Sequence, residues 1–379
     1  MSRQIYLDHA AATPVRKEAV KAMKSAEKYF ANPGSTHDQG KKAKGSLEES
    51  RETVLKIING KGSIIFTSGG TESINLALKG IAFANKTKGN HIITSKIEHK
   101  AVLETCRYLE TQGFEVTYID VDKYGRINLK DLEKAITART ILISIMYVNN
   151  EIGTIQPVKE IAAIAKKHKI LFYTDACQAG NLDLDVQELG IDLLTLNSNK
   201  IYGPKGVGLL YVKEEISLQP LIHGGGQESG SRSGTENVTA IAGFSAALEL
   251  AQMEKDKENK RLQELSYYFV KEVQKNIPNA FLNGHPTERL SNNVHLSFEG
   301  VEAETVLSYL NQKGIFASAG SACAANIIEP SHVLKAMRLP EKLARGSIRF
   351  TFGKETTKKD IDIVVKILTE IISSLRKIG

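Results

Sequence analysis

Lys200 stands in the segment Thr195-Leu-Asn-Ser-Asn-Lys200-Ile-Tyr-Gly-Pro-Lys-Gly206. A strand-like apolar run, Ile191 to Leu196, delivers it into a short polar loop, and a Gly-Pro turn follows at once. A lysine so placed can be held in a partly dry pocket, where desolvation lowers its pKa and frees the amine for carbonyl chemistry. Asp175 lies 25 positions earlier (200 − 175), at the end of another apolar run, Ile170 to Tyr173. A lysine for a Schiff base and an aspartate for a pyridinium nitrogen are the two protein groups that a pyridoxal phosphate cofactor needs. Most lysines that follow a strand are solvated, so the pair needs support from the rest of the chain.

Several segments offer it. Thr67-Ser-Gly-Gly-Thr-Glu-Ser73 joins a strand to a helix. Its glycines let the backbone approach an anion, and the free N–H groups of a first helical turn point at it. A plain helix cap by Ser68 or Thr71 is the commoner use of such a sequence. Glu98-His99-Lys100 ends a strand, where an imidazole can stack on a flat cofactor and move protons near neutral pH, or serve as a hydrogen-bonded structural residue. Asn150 and Gln178 follow strand-like runs and offer amide donors to a phenolic oxygen, unless they bond their own turns. The stretch from His223 to Thr235 is too glycine-rich for helix or strand; with Arg232 it either binds an anion or is a flexible connection. Arg349, mid-strand in Ser347-Ile-Arg-Phe, needs a partner, either a substrate carboxylate or a buried structural one.

Three cysteines, Cys106, Cys177 and Cys323, give neither a disulfide framework nor a metal-binding pair. Cys106 falls in an amphipathic helical pattern, and Cys177, between Asp175 and Gln178, reads as packing beneath the ring. Cys323 lies among small residues, Ala317-Ser-Ala-Gly-Ser-Ala-Cys-Ala-Ala-Asn326, where a thiol stays accessible.

The elements that must position these groups form a rhythm. From about Ser63 to Val212, apolar strand-like runs (63–67, 91–95, 114–120, 140–146, 170–173) alternate with helical patterns (73–85, 99–112, 158–168). Such β-α-β alternation predicts a mostly parallel sheet covered on both faces, with ligands bound beyond the carboxyl ends of its strands. Beyond Gly234 a long charged helical pattern, 239–275, leads into a second, smaller α+β domain. Its strands include 293–298 and 347–352, and a closing amphipathic helix spans 358–376.

The 379 residues suffice for two domains and a large core. Lysine and arginine number 50 against 43 acidic residues, so the formal charge is +7; it is spread over helical segments and reads as solvated faces. No basic block interleaved with aromatics supports nucleic-acid binding, no apolar run approaches a membrane span, and the start lacks a signal-peptide pattern. A reducing, cytoplasmic setting is the expectation.

In their order along the chain these motifs resemble the cysteine desulfurases of the NifS/IscS-like class, in the class-V aminotransferase family of pyridoxal phosphate enzymes. The matching landmarks are Tyr6-Leu-Asp-His-Ala-Ala, Asn32-Pro-Gly-Ser, Thr67-Ser-Gly-Gly-Thr-Glu-Ser, Glu98-His-Lys, Val148-Asn-Asn-Glu-Ile-Gly, Asp175-Ala-Cys-Gln, Lys200-Ile-Tyr-Gly-Pro-Lys-Gly, Gly224-Gly-Gly-Gln-Glu, Arg232-Ser-Gly-Thr, Ser321-Ala-Cys and Ser347-Ile-Arg-Phe. The resemblance implies the α/β transferase fold type I of these enzymes, with a mostly parallel seven-stranded sheet. Residues 15–255 would form the large cofactor-binding domain, and 1–14 with 256–379 the small one.

It implies roles as well. Lys200 would hold pyridoxal 5′-phosphate covalently, Asp175 would pair with its pyridinium nitrogen, and His99 would stack on the ring and move protons. Asn150 and Gln178 would contact the ring hydroxyl. Gly70, Thr71, Asn197 and Asn199 would serve the phosphate, and Thr235 would reach the phosphate of a neighbouring subunit in a homodimer. Arg349, Asn150 and Asn32 would form the substrate site, with Arg349 and Asn150 taking the carboxylate of L-cysteine. Cys323 would take the substrate sulfur as a persulfide, releasing L-alanine and passing sulfur to an acceptor for iron–sulfur cluster or thio-cofactor assembly. No resident metal is implied, though Cys323 could supply one ligand to a shared cluster.

Departures from the family pattern fall at Asn197, usually serine or threonine, at Asn199, usually histidine, at Ala12, usually threonine, and at Gly70, usually alanine. An asparagine amide can still donate a hydrogen bond to a phosphate. These changes leave two alternatives beside the desulfurase: a catalytically weak homologue acting as an assembly scaffold, and a selenocysteine lyase.

Overall fold

The computed structural model describes residues 4–319 and 331–378. The chain opens with a short strand, β1 (Ile5–Tyr6), and two helices, α1 (Lys17–Ala26) and α2 (Asp38–Ile57). A run of alternating units follows: β2 (Gly62–Thr67) with α3 (Gly70–Ala84), β3 (His91–Ser95) with α4 (Lys100–Thr111), and β4 (Glu115–Ile119) with α5 (Leu129–Ala135). Next come β5 (Thr140–Ser144) with α6 (Val158–Lys167) and β6 (Leu171–Asp175) with α7 (Val186–Leu189). β7 (Leu193–Asn197) and β8 (Gly208–Lys213) complete a seven-stranded sheet of order β2-β8-β7-β6-β5-β3-β4. Strands β3 to β7 pair in parallel, while β8 runs antiparallel to both β7 and β2. The sheet is therefore the mostly parallel one that the alternation predicts.

Every residue of β3 and β5 is buried, as expected for parallel strands covered on two faces. One face packs beneath α2, α6 and the first half of α8 (Val238–Asn276), through Val54, Ile161 and Phe244; the other packs beneath α3 and α4, through Leu78 and Leu109. Polar groups at the strands' edges are matched: His91 at the start of β3 bonds Thr140 at 2.7 Å and Thr117 at 2.9 Å.

Beyond α8, β9 (Ala280–Asn283), β10 (Asn293–Phe298) and β12 (Ser347–Thr351) form an antiparallel sheet with β10 in the middle. Helix α9 (Ala303–Gln312) leads to β11 (Ile315–Phe316), which pairs in parallel with β1. Two short helices, α10 (His332–Ala336) and α11 (Glu341–Ala344), precede β12, and α12 (Lys358–Ile378) closes the chain. A separate apolar cluster lies here, with Leu7 from the N-terminal segment, Leu262, Phe269 and Val273 from α8, and Leu368 from α12. Phe269 meets Phe350 and Phe352 edge-on, with ring centroids 5.1 and 5.5 Å apart. Helix α8 thus runs from one core to the other. No helix among the described residues is long and apolar enough to cross a membrane.

Candidate active site

At the carboxyl ends of β2, β3, β5, β6 and β7 the connecting segments open into a cavity of about 280 Å³. The sheet's geometry explains the collection: parallel strands put their outgoing loops on one edge, and each loop here carries a polar motif. Gly70 and Thr71 line the cavity after β2, His99 after β3, and Asn150 after β5. Asp175, Cys177 and Gln178 follow from β6, and Asn197 and Lys200 from β7 and the 3₁₀ turn behind it. Arg349 enters from β12, and Ala10 and Ala11 from the segment after β1.

Lys200 Nζ donates to the carbonyl oxygens of Ala10, at 2.8 Å, and Ala11, at 2.6 Å. Gln178 Nε2 donates to the same Ala10 carbonyl at 2.9 Å. Asp175 is 7% exposed. Its Oδ1 accepts from the Cys177 backbone N–H at 3.0 Å, and the carboxylate also takes a hydrogen bond from the Cys177 side chain. A buried carboxylate on the cavity wall is the partner a cationic ring nitrogen requires.

His99 caps α4: its Nδ1 accepts from the Ala101 N–H at 3.1 Å, which leaves the proton of the neutral ring on Nε2. Burial lowers its pKa, Asp175 opposes that effect, and Lys200 adds to it. The imidazole therefore stays neutral further down the pH scale than a solvated one. Behind it, Glu98 is buried and its pKa is pushed up to about 8, by desolvation first and by Asp175 in addition. Its carboxyl group accepts from Ser95 Oγ at 2.6 Å and from the Met146 N–H at 3.0 Å, tying the ends of β3 and β5 together under His99.

The phosphate-type cradle is tight. A Cβ added at Gly70 would stand 2.8 Å from Cys177 Sγ and 3.4 Å from Asn197 Nδ2. A Cβ on Gly208, at the start of β8, would stand 2.7 Å from the Gly69 carbonyl carbon. Gly208 is thus what lets β8 lie against the cradle's backbone. The N–H groups at the start of α3 and the Asn197 amide form a donor set suited to an anion. With Lys200 and Asp175 on the walls of the same cavity, the residues present fit pyridoxal phosphate.

Arg349 has a side chain only 3% exposed; it donates to the Asn150 carbonyl and to Asp8 Oδ1, each at 2.8 Å. It stands both in an ion pair and on the cavity wall, so the two sequence-level readings of this residue coexist. Cys106 and Cys177 are both buried. Desolvation pushes the Cys106 thiol up to about 12 and Cys177 well above its ordinary value, so neither is a poised thiolate. Cys323 lies outside the described residues.

Three expected site residues do not line the cavity of this chain. Asn32 is exposed and its Oδ1 accepts from Gly34 N–H at 2.8 Å, an Asx turn. Asn199 holds Thr13 through its backbone carbonyl, at 2.9 Å from the Thr13 nitrogen and 3.0 Å from Oγ1, and its side chain is not among the lining groups. Thr235 is exposed. Two lining residues escaped the sequence reading. His332, at the start of α10, places Nε2 2.9 Å from the Glu98 carbonyl, and Glu151 takes a short hydrogen bond from Ser331, the cap of α10. Glu151 lies inside the landmark Val148-Asn-Asn-Glu-Ile-Gly without having been given a role, and for His332 the capping serine of a short helix was the local signal.

The Aminotransferase class-V family profile matches residues 5–364. A protein named Cysteine desulfurase IscS, from Dictyoglomus turgidum (strain DSM 6724 / Z-1310), is 52% identical over 382 residues, covering 100% of this chain and 97% of its own. Among solved structures, one titled NIFS-LIKE PROTEIN superposes with a TM-score of 0.92 at 36% identity, over 98% of this chain and 100% of that one. Another, titled SspA in complex with cysteine, gives 0.81 at 39% identity, over 92% and 98%.

Proposed function

The chain belongs to the class-V aminotransferase family, among its pyridoxal-phosphate-dependent cysteine desulfurases of the NifS/IscS-like class, and from this premise we propose that the cavity at the sheet's carboxyl edge cleaves L-cysteine to L-alanine, with the sulfur leaving on Cys323. The observation that carries this assignment is the joint placement of Lys200, Asp175, His99 and Arg349 on the walls of one cavity. When bound, the cofactor supplies an electron-withdrawing ring that acidifies the substrate's α-carbon and weakens its C–S bond.

The chain's own groups supply the rest. Lys200 is the amine that holds the cofactor, and Asp175 keeps the ring nitrogen protonated by charge pairing in a buried setting. Gly70, Thr71 and Asn197 take the phosphate, the last through its amide in place of a hydroxyl. Asn199 reaches the phosphate only with a side-chain rearrangement, and Thr235 serves a neighbouring subunit in a homodimer. Gln178 and Asn150 serve the ring hydroxyl. Arg349 takes the substrate carboxylate as a fork donor, with Asn150 beside it, and Asn32 completes the substrate site from outside the cavity wall. His99, neutral and protonated at Nε2, moves protons at the ring face. Cys323 thiol and L-cysteine give a Cys323 persulfide and L-alanine: the substrate's C–S bond breaks, an S–S bond forms, and a proton ends on the alanine methyl group.

The persulfide is then passed to an acceptor protein for iron–sulfur cluster or thio-cofactor assembly, in the cytoplasm. The domain division at 255/256 belongs to the same reading. It is supported by the passage of the core along α8, from Ala251 in the large cluster to Leu262 in the small one.

The test is alanine and sulfide release from L-cysteine by purified protein with added pyridoxal phosphate and a thiol reductant. Both products are expected in step. Cys323→Ala should retain the yellow cofactor and lose sulfur transfer; unchanged turnover in that variant would remove Cys323 from its role.

A further inference from the structure

The glycine-rich stretch that the sequence leaves open, between anion site and connector, is joined to the phosphate cradle by one ion pair. Arg232 Nε donates to Glu72 Oε1 at 2.8 Å, and an Nη of the same guanidinium lies 3.4 Å from Oε2. Both side chains are mostly shielded, 22% and 17% exposed. Glu72 sits in the first turn of α3, and its Oε2 also accepts from the Ser68 N–H at 2.7 Å. Burial works against this carboxylate, but the hydrogen bonds from Arg232 and Ser68 outweigh it and hold the group below the usual carboxylate range.

A full negative charge thereby stands in the helical turn that carries the cradle. Glu72 follows directly on Gly70 and Thr71, which line the cavity, and its carboxylate takes the Ser68 N–H of the same turn. Two further carboxylates, Glu228 and Glu236, act on the same guanidinium. Glu228 is already matched by Arg51, at 2.8 and 3.1 Å, and by the Phe66 N–H. Arg232 is the cation that answers Glu72.

We infer that the Arg232–Glu72 pair sets the charge of the phosphate cradle: Glu72 closes the start of α3, and Arg232, reaching over from the glycine-rich stretch, cancels its repulsion of a bound phosphate. Both are positioning residues. This inference rests on the assignment of the cavity to pyridoxal phosphate, and it predicts opposite signs for the two single substitutions. With Arg232→Gln the carboxylate stands unanswered and phosphate binding weakens. With Glu72→Gln the guanidinium is left in excess and phosphate binding holds or tightens. A pair that only braced the loop would lose affinity equally from either side.

The experiment is a spectroscopic titration of the cofactor-stripped full chain with pyridoxal phosphate, and separately with pyridoxal, which lacks the phosphate. Arg232→Gln should weaken pyridoxal phosphate about tenfold or more, a charge effect of the size met when one member of a shielded pair is removed. Glu72→Gln should bind at least as well as the unaltered chain, and Glu72→Gln/Arg232→Gln should return to within about threefold of it. Arg232→Lys, which keeps the charge, should restore most of the loss. Pyridoxal affinity should be the same throughout. A tenfold loss in Glu72→Gln, or an equal loss for pyridoxal in Arg232→Gln, overturns the inference; Glu72→Gln alone decides it should Arg232→Gln fail to fold. Failure of the unaltered chain to take up pyridoxal phosphate would instead overturn the cofactor assignment.

Discussion

Gly70 stands where the family resemblance leads one to expect alanine, and the structure supplies a reason in the turn after β6. The Cys177 sulfur occupies the volume an alanine methyl would need, 2.8 Å from an ideal Cβ. Neither residue can be understood alone. Gly70→Ala should cost about 1–3 kcal/mol in unfolding free energy, the usual penalty for overpacking a tight site. Cys177→Ala in the same chain should recover most of it, because the sulfur that obstructs the methyl is then gone. Denaturant unfolding of both variants checks this, and additive losses would mean the two sites are not in conflict. The coupling is visible only in space: the sequence shows an unusual glycine and an unremarkable cysteine, separated by more than a hundred positions.

Elements set the protonation of some residues as firmly as the site does. On β10, the middle strand of the small sheet, His295 faces Arg349 across the ladder to β12. Asn283 Nδ2 donates to its Nδ1 at 2.9 Å, which fixes the proton on Nε2, and Nε2 has no hydrogen-bond partner among the described residues. Burial lowers the His295 pKa from 6.5 to about 3, with Arg349 and Arg289 contributing in the same direction. Between those values the unfolded chain binds the proton and the folded chain does not, so stability rises with pH across that window and falls as the solution is acidified. The expected slope is about 1.4 kcal/mol per pH unit below 6.5. His295→Leu should flatten it, measured as unfolding free energy against pH; an unchanged slope would assign the acid lability elsewhere. Because Arg349 lies on the neighbouring strand, this neutral histidine also avoids placing a second cation beside the guanidinium proposed to receive the substrate.

Across the whole molecule, α8 is the one helix that contributes to both large apolar clusters, among the described residues. A smaller cluster of Ile97, Met146 and Ile152 with Val333, Leu334 and Met337 adds a second connection. Its 39 residues span about 58 Å at the usual rise, with Phe244 and Leu248 in one cluster and Phe269 and Val273 in the other. Lys257 is exposed between those stretches, so Lys257→Pro removes no buried side chain and acts on the backbone alone. It should cost about 3 kcal/mol and give two calorimetric unfolding transitions where the unaltered chain is expected to give one. A single transition merely shifted to lower temperature would show that contacts other than α8 keep the cores cooperative.

Much of this was legible from residue type and period alone. Alternating apolar runs marked the parallel strands, and 293–298 matches β10 residue for residue. The long charged pattern marked α8; Lys200, Asp175 and His99 stood out because each falls at or just beyond the end of an apolar strand-like run, and Arg349 because it falls within one. Local periodicity specifies which face of an element is buried, and chemistry-bearing residues at strand ends inherit their direction from it. What the sequence could not show was who meets whom. The reversed β8 wedged between β7 and β2, the hold of the Asn199 carbonyl on Thr13, the entry of His332, and the grip of Arg232 on Glu72 are contacts between distant segments. They are settled by close packing and by the need of each buried polar group for a partner, and those constraints exist only once the chain has folded.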